Sequence, residues 1–479
     1  MIQRFLEFEE KYGLLDKEIN GFRYWNYSRF NIYKKLVEIS STDITEVKAI
    51  QTKVGCFEIF SIIKNCLWNN PIFKVKKKDI LIVNHPRKIK NGDYFECIYT
   101  EELSKFLGTS AYSVEFLNGL KHSTPVNNPN LIYLDYIDIF GGIAIKVTKF
   151  MNRKVCMFLN EEANKIDKVI LDEFGVSTGE DYIRSLFVKR YLYYFFKKKL
   201  VKKLIKKINP KIIVEVVGYL TNNMIINEVA NELGIETIEL QHGVMGRGHL
   251  AYNYLNKREY NYFPNKIFLF SDYWREVTQF PIEDKNLIEI GFPYLEKNLH
   301  NYANYKDNNL HGLNIVIISQ PEFSMKISSL VSSLANKLEN SNVDYHIIYK
   351  LHPAEYGKKN EYIKDMEKYK NVEIVADATN SIYYYFSRCN IQIGVTSTAI
   401  FEGLAFKLNT FIYHLEKTDS YMGDLCKMGI ARMFDDLDTL VEMLLKVDTE
   451  SNFTSNKYFW KTEAFNNLIK EINCTLKKG

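Results

Sequence analysis

Asn314-Ile315-Val316-Ile317-Ile318 carries, after its first residue, a short unbroken apolar run, the pattern of a strand buried on both faces. It is the second run of its kind to open a series. The first series starts at Ile80-Leu81-Ile82-Val83 and continues through 131–134, 212–217, 235–240 and 267–270. From residue 314 the pattern restarts and passes through 345–349, 372–375, 391–395 and 410–413. Helix-length segments separate most of these runs. Strands alternating with helices predict parallel pairing in a doubly wound sheet, so two series predict two α/β domains.

The expected organisation follows from where the pattern changes. Residues 1–75, with aromatic positions three or four apart after Gly21, read as an N-terminal helical extension. A Rossmann-like domain spans 76–290. Gly291-Phe292-Pro293 and the polar, Asn-rich 302–311 mark an interdomain linker at 291–312. A second Rossmann-like domain takes 313–450, and 451–479 is a helical tail. Two such domains enclose a cleft between the carboxyl edges of their sheets, where ligands of this architecture bind.

Composition narrows the function classes. The chain has 479 residues, 46% of them hydrophobic and 25% charged, the balance of a folded globular protein. Its net charge of +5 is too mild to argue for nucleic acid. Seven cysteines without a Cys-x-x-Cys pair suggest neither a disulfide framework nor a cysteine zinc site, which points to a reducing, cytoplasmic setting. The N-terminus lacks a signal-peptide pattern, and no apolar run approaches the ~20 residues needed to span a bilayer. The 33 Tyr and 31 Phe come with abundant Lys, Asn and Ile, so part of the aromatic content is discounted as coding bias.

The informative residues are those just after strands. In Lys350-Leu351-His352-Pro353, Pro353 ends the strand and holds His352 at the sheet edge, where its imidazole can bond a phosphate oxygen and Lys350 adds charge. The plain alternative is a corner histidine bonded to backbone. Thr396-Ser397-Thr398 opens a helix whose free N–H groups suit an anion, although hydroxyls there also serve as caps. Glu402, one turn along, can accept hydrogen bonds from ribose hydroxyls. Ser319-Gln320 ends the first strand of the same domain in a small polar turn.

In the N-terminal domain, strand 235–240 runs into Gln241-His242-Gly243, with Arg247 and two further glycines close behind. His242 is a candidate general base, and the glycines would leave room for a ligand. His85 and Arg87 stand at the same edge. Glu215 interrupts an apolar run, so it is paired internally or faces the cleft. The stretch 187–208 is rich in Lys, Arg and aromatic residues and acid-free, which suits a solvated helix face or a peripheral contact with anionic lipid. Asp436 and Asp438 read as helix N-terminal charge rather than a metal pair. Zincin, P-loop and nucleophile-elbow motifs are absent.

His352-Pro353, Thr396-Ser397-Thr398 with Glu402, Gln241-His242-Gly243 and Gly291-Phe292-Pro293 together resemble bacterial GT-B glycosyltransferases of surface polysaccharide synthesis. The resemblance extends to polysialyltransferase-like, Kdo-transferase-like and teichoic-acid glycerophosphotransferase-like proteins of capsule and lipopolysaccharide synthesis. It implies a nucleotide-sugar donor, CMP-linked in preference to UDP-linked, held by Ser319, Gln320, Lys350, His352, Pro353, Thr396, Ser397, Thr398 and Glu402. It further implies a glycan or lipid-linked glycan acceptor near Gln241, Gly243, Arg247, His85 and Arg87. The base would be His242, or else Glu215, and no metal or other cofactor is required. The chain lacks the acidic Asp/Glu-Asp/Glu-Gly motif of sialyltransferases. Two other classes share the fold: a nucleotide-sugar 2-epimerase, whose Gly-Thr-Arg-Pro-Glu loop is replaced here by Asn84-His85-Pro86-Arg87, and a noncatalytic scaffold.

Overall fold

The computed structural model describes residues 1–41, 56–85, 88–302, 311–363, 366–447 and 456–478. The first sheet comprises β1 (Ile80–Val83), β2 (Ala111–Glu115), β3 (Leu131–Tyr133), β4 (Ile212–Val216), β5 (Glu236–Leu240), β6 (Lys266–Leu269) and β7 (Leu287–Glu289). Its seven strands are all parallel, in the order β3-β2-β1-β4-β5-β6-β7. The second sheet comprises β8 (Leu313–Ile318), β9 (Tyr345–Lys350), β10 (Val372–Val375), β11 (Ile391–Gly394), β12 (Asn409–Tyr413) and β13 (Ala431–Phe434). These are also parallel, in the order β10-β9-β8-β11-β12-β13. Each sheet grows outward from its first strand in both directions. The topological switch therefore lies beside β1 and β8, where such sheets open a ligand crevice. The predicted α/β architecture of two doubly wound domains is what the chain adopts.

Several strands escape the apolar-run criterion. β2 reads Ala-Tyr-Ser-Val-Glu, yet Ser113 and Glu115 are both buried. Their polarity is met internally: Ser113 Oγ lies 2.8 Å from Ser104 Oγ, and Glu115 pairs with Lys88 at 2.5 Å and His122 at 2.9 Å. The stretch read as a linker contains a helix, Pro293–Tyr302.

The N-terminal extension is built into the core. Helices α1 (Ile2–Lys11) and α2 (Arg29–Ser40) bury Phe5, Phe8 and Ile32. Glu9 and Arg29 form a fully enclosed ion pair at 2.6 Å, and Arg29 also donates to the carbonyls of Leu250 and Asn253 at 3.0 Å. Every polar atom of that guanidinium edge thus meets an acceptor, which a buried charge requires.

Helix α3 (Glu180–Ile208) contains the basic, aromatic 187–208 stretch. Phe187, Tyr191 and Tyr194 are core residues, while Lys197 pairs with Asp138 and Lys198 with Glu228. Of the aromatic side chains that suggested a lipid-facing surface, Tyr191 and Tyr194 pack inward, while Tyr193, Phe195 and Phe196 are half-buried. Helix α4 (Thr221–Glu232) covers the inner strands on the same side.

The two domains are tied by a returning tail. After α5 (Thr398–Ala405) and α6 (Thr418–Lys427) of the second domain, α7 (Ala464–Lys478) lies on the first sheet. Its Leu468 and Ile472 join Ile80, Ile212, Ile238 and Phe268 in one buried cluster. Glu296 accepts from the N–H groups of Glu463 and Ala464 at 2.7 and 2.8 Å, fixing the start of α7. Gly291 makes the crossing possible. Its φ of +91° disfavours a side chain, and a Cβ would lie 2.7 Å from Ala464 Cβ and collide with the Lys461 carbonyl.

Glu215 and Glu239 occupy register-matched positions on β4 and β5, both fully buried. Asn227 Nδ2 donates to Glu215 at 2.8 Å, and the Tyr252 hydroxyl donates to Glu239. Burial raises the Glu239 carboxyl to about 7; burial, then the neighbouring Glu239, holds Glu215 well above the carboxylate range.

Two outcomes are expected. Gly291→Ala should lower stability by about 2–3 kcal/mol in urea unfolding, through positive-φ strain and overpacking. Because Glu239 is raised, folding favours its protonated form, so this contribution is full below the ordinary carboxylate range and lost as pH rises through about 7. The urea midpoint should fall between pH 5 and pH 8, and Glu239→Gln should flatten that decline.

Candidate active site at the interdomain cleft

The second domain presents a hydrogen-bonded rim along three neighbouring strand ends. Pro353 opens a short 3-10 turn, and His352 before it is extended, at φ −69° and ψ 145°. His352 Nδ1 accepts from the Ala354 N–H at 3.2 Å, while the backbone N–H of His352 donates to Glu355 Oε2 at 2.9 Å. A ring whose Nδ1 accepts carries its proton on Nε2, so the imidazole presents an N–H donor at its far end. Ser319 Oγ donates to the other Glu355 oxygen at 2.9 Å. Gln320 next to it grips Thr396 twice: Nε2 donates to Thr396 Oγ1 at 2.9 Å and Oε1 accepts from Thr396 N–H at 2.8 Å. Ser397 caps α5, accepting from Ala399 N–H at 3.3 Å. The chain of contacts thus runs from His352 through Glu355 and Ser319-Gln320 to Thr396 and the positive end of a helix.

Other predicted donor residues turn inward. Lys350 donates to the Tyr356 hydroxyl at 2.8 Å and the Asp377 carbonyl at 2.7 Å, between the rings of Tyr356 and Tyr385. Burial lowers its ammonium to about 8. The side chain is thus engaged inside the domain rather than presented to a phosphate, which corrects the expectation. Ser319 is likewise buried and acts through Glu355. Glu402 sits beside Tyr383 and Tyr294, and its burial raises the carboxyl to about 7.

On the first domain, β5 delivers His242 to the cleft edge as the strand pattern predicts. Its ring is partly exposed, with Nδ1 3.4 Å from the Tyr252 hydroxyl and 3.9 Å from Glu239 Oε1. His85, after β1, lies parallel to it at 6.5 Å between ring centres. Tyr99 donates to the His242 carbonyl at 2.7 Å, and Tyr219 packs against the ring at 6.0 Å. An imidazole backed by a hydroxyl and a carboxyl is a proton-accepting arrangement. Glu215 takes the internal alternative: it is bonded within the β4–α4 interior. Arg87 lies outside the described residues.

The turn after β5 touches the second domain directly. Val244 N–H donates to Thr398 Oγ1 at 3.2 Å, and a Cβ on Gly243 would sit 3.0 Å from the same oxygen. A Cβ on Gly248 would come within 2.6 Å of the Tyr421 ring. Arg247 reaches Asp424 on α6 at 3.4 Å. Gln241 is buried, accepting from Phe270 N–H and donating to the Gly243 carbonyl, both at 2.8 Å. The glycines therefore admit the second domain rather than leaving open space, and Gln241 braces the turn instead of lining it. Both readings as acceptor contacts are corrected.

Sequence reasoning missed Tyr99, Tyr219 and Tyr252, which surround His242. It also missed a buried group at the end of β2, where His122 bridges Glu115 at 2.9 Å and Asp135 at 2.7 Å. Among the described residues no cluster of three or more His, Cys, Asp or Glu is arranged to hold a metal ion. Asp436 caps its helix by accepting from Thr439 N–H at 2.9 Å, and Asp438 pairs with Lys337 at 2.5 Å.

No protein-family model and no curated protein matches the chain. Among solved structures, S. aureus MnaA in complex with UDP is similar at 10% identity and TM-score 0.50, over 84% of this chain and 97% of that one. Acinetobacter baumannii MurG gives 9%, TM-score 0.46, and coverage of 83% and 99%. The wall teichoic acid polymerase TagF gives 13%, TM-score 0.45, and coverage of 88% and 98%. At 10% identity the likeness to MnaA is one of fold, which in this chain is the GT-B arrangement of two parallel-sheet α/β domains.

Proposed function

We propose that the protein is a GT-B glycosyltransferase that moves a sugar from a nucleotide-sugar donor to a glycan or lipid-linked glycan in bacterial surface polysaccharide synthesis. A CMP-linked donor is favoured over a UDP-linked one on the His-Pro resemblance. The observation that carries the reading is the braced rim from His352 to the capped start of α5. An imidazole N–H and a helix N-terminus thus stand at the ends of the two strands that flank β8, a combination suited to a phosphate. Gln320 and Thr396 stiffen this edge, and Glu402 is the candidate for ribose hydroxyls. Lys350 has no part in the contact.

In the reaction, the acceptor hydroxyl oxygen attacks the anomeric carbon while the bond from that carbon to the leaving phosphate oxygen breaks. His242 takes the hydroxyl proton, with Tyr252 and Glu239 behind its Nδ1. The phosphate charge that develops is met by His352 and the α5 N-terminus, electrostatic stabilisation for which this reading needs no metal. The setting proposed is the cytosolic side of the membrane. Among the described residues no helix is long and apolar enough to cross a membrane.

His352→Ala should weaken nucleotide binding by about one to two decades, since a hydrogen bond to a charged group is worth about 1.5–3 kcal/mol. Calorimetry with CMP and UDP checks this; unchanged affinity in the folded variant would remove His352 from the site.

His242→Ala should reduce transfer by about 10²–10⁴-fold with nearly normal nucleotide binding. The assay follows sugar incorporation in excess chelator. Wild-type turnover in the variant would move the base elsewhere, and activity lost in chelator but restored by magnesium would defeat the metal-independent reading. Sugar conversion without any acceptor would identify an epimerase instead.

A further inference from the structure

We propose that the helices Cys56–Leu67 and Asp135–Met151, with the short turn Pro71–Lys74, form a docking face for an anionic lipid bilayer. The two helices pack against each other on the flank of the first domain. They leave large apolar side chains in solvent: Phe150 is 86% exposed, Met151 78%, Phe73 76%, Trp68 68% and Phe60 65%. Ile59, Ile63 and Leu67 on the first helix and Ile143 and Val147 on the second are also exposed, at four-residue spacings that keep each set on one helix face. Single exposed hydrophobic residues are ordinary, but a contiguous set from adjoining helices marks an interaction surface.

Charge identifies the occupant. Residues 59–78 contain Lys64, Lys74, Lys76, Lys77 and Lys78 and no acid. Residues 139–160 contain Lys146, Lys149, Arg153 and Lys154 and no acid. Lys64, Lys76, Lys77, Lys149, Arg153 and Lys154 form no ion pair among the described residues. A second copy of the chain would bring like charges together on this face. Aromatic and aliphatic side chains rimmed by unpaired cations match the headgroup and acyl boundary of an anionic membrane. The helices have 12 and 17 residues, short of the ~20 needed to span, so they lie along the surface. This face differs from the 187–208 stretch of α3, where Tyr191 and Tyr194 are internal. The inference stands apart from the nucleotide reading and is tested without any substrate.

The chain carries its own reporter. Trp25, Trp274 and Trp460 are buried, and Trp68 alone of the four tryptophans is exposed. Titrating the full chain with vesicles of equal phosphatidylcholine and phosphatidylglycerol should shift its emission to shorter wavelength. Trp68→Phe should abolish the shift while the protein still sediments with the vesicles. Phe60→Ser combined with Phe150→Ser should reduce sedimentation at least tenfold, with an unchanged circular dichroism spectrum establishing that the variant is folded. Lys76→Gln with Lys77→Gln should weaken binding several-fold in low salt and less in high salt. The proposal is overturned if the wild type stays in the supernatant at low salt. It is also overturned if the folded Phe60/Phe150 variant sediments like wild type, or if pure phosphatidylcholine serves equally well.

Discussion

How closely the two sheets approach is decided by backbone that carries no Cβ. Gly243 lies against Thr398 and Gly248 against the Tyr421 ring, so the turn after β5 meets the second domain at van der Waals distance. Any side chain at Gly248 would have to displace an aromatic ring, and the sheet edges would separate. The position of His242 relative to the α5 N-terminus depends on this contact. So does the Val244 to Thr398 hydrogen bond that joins the first domain to the phosphate-binding edge of the proposed site.

The edge itself is preorganised by groups that a ligand need not touch. Glu355 accepts from both His352 and Ser319, and Gln320 makes two bonds to Thr396. Such bonds are made before any ligand arrives, so little reorganisation is left for the binding step. The first domain differs in character. There the candidate base is ringed by Tyr99, Tyr219 and Tyr252, with the buried Glu239 carboxyl 3.9 Å from its Nδ1.

Both sheets were legible in the sequence wherever strands are apolar on both faces, as at Ile80–Val83 and Leu313–Ile318. β2 was not, because Ser113 and Glu115 are buried with partners that no local pattern announces. The rim was legible through Pro353 and Ser397, whose backbone roles are local. Lys350 was misread for the opposite reason: its partners, Tyr356 and the Asp377 carbonyl, are set by tertiary packing. Discounting aromatic content as coding bias hid the tyrosines around His242. In α3 the aromatic residues divide: Phe187, Tyr191 and Tyr194 face the core, and long basic side chains reach past them to Asp138 and Glu228, a split that composition does not announce.

The returning tail has a consequence for how the chain is made. Residues 464–478 complete the hydrophobic face of the first sheet, although that sheet's last strand ends at Glu289. Synthesis from one point to the other takes roughly 10–40 s at ordinary elongation rates of about 5–20 residues per second. Throughout that interval the nascent first domain carries an uncovered apolar strip formed by Ile80, Ile212, Ile238 and Phe268. The second domain, whose strands all lie within 313–434, is free to fold earlier. The domain that is translated first is therefore the one that finishes last, and chaperone engagement during translation would fall on its exposed strip.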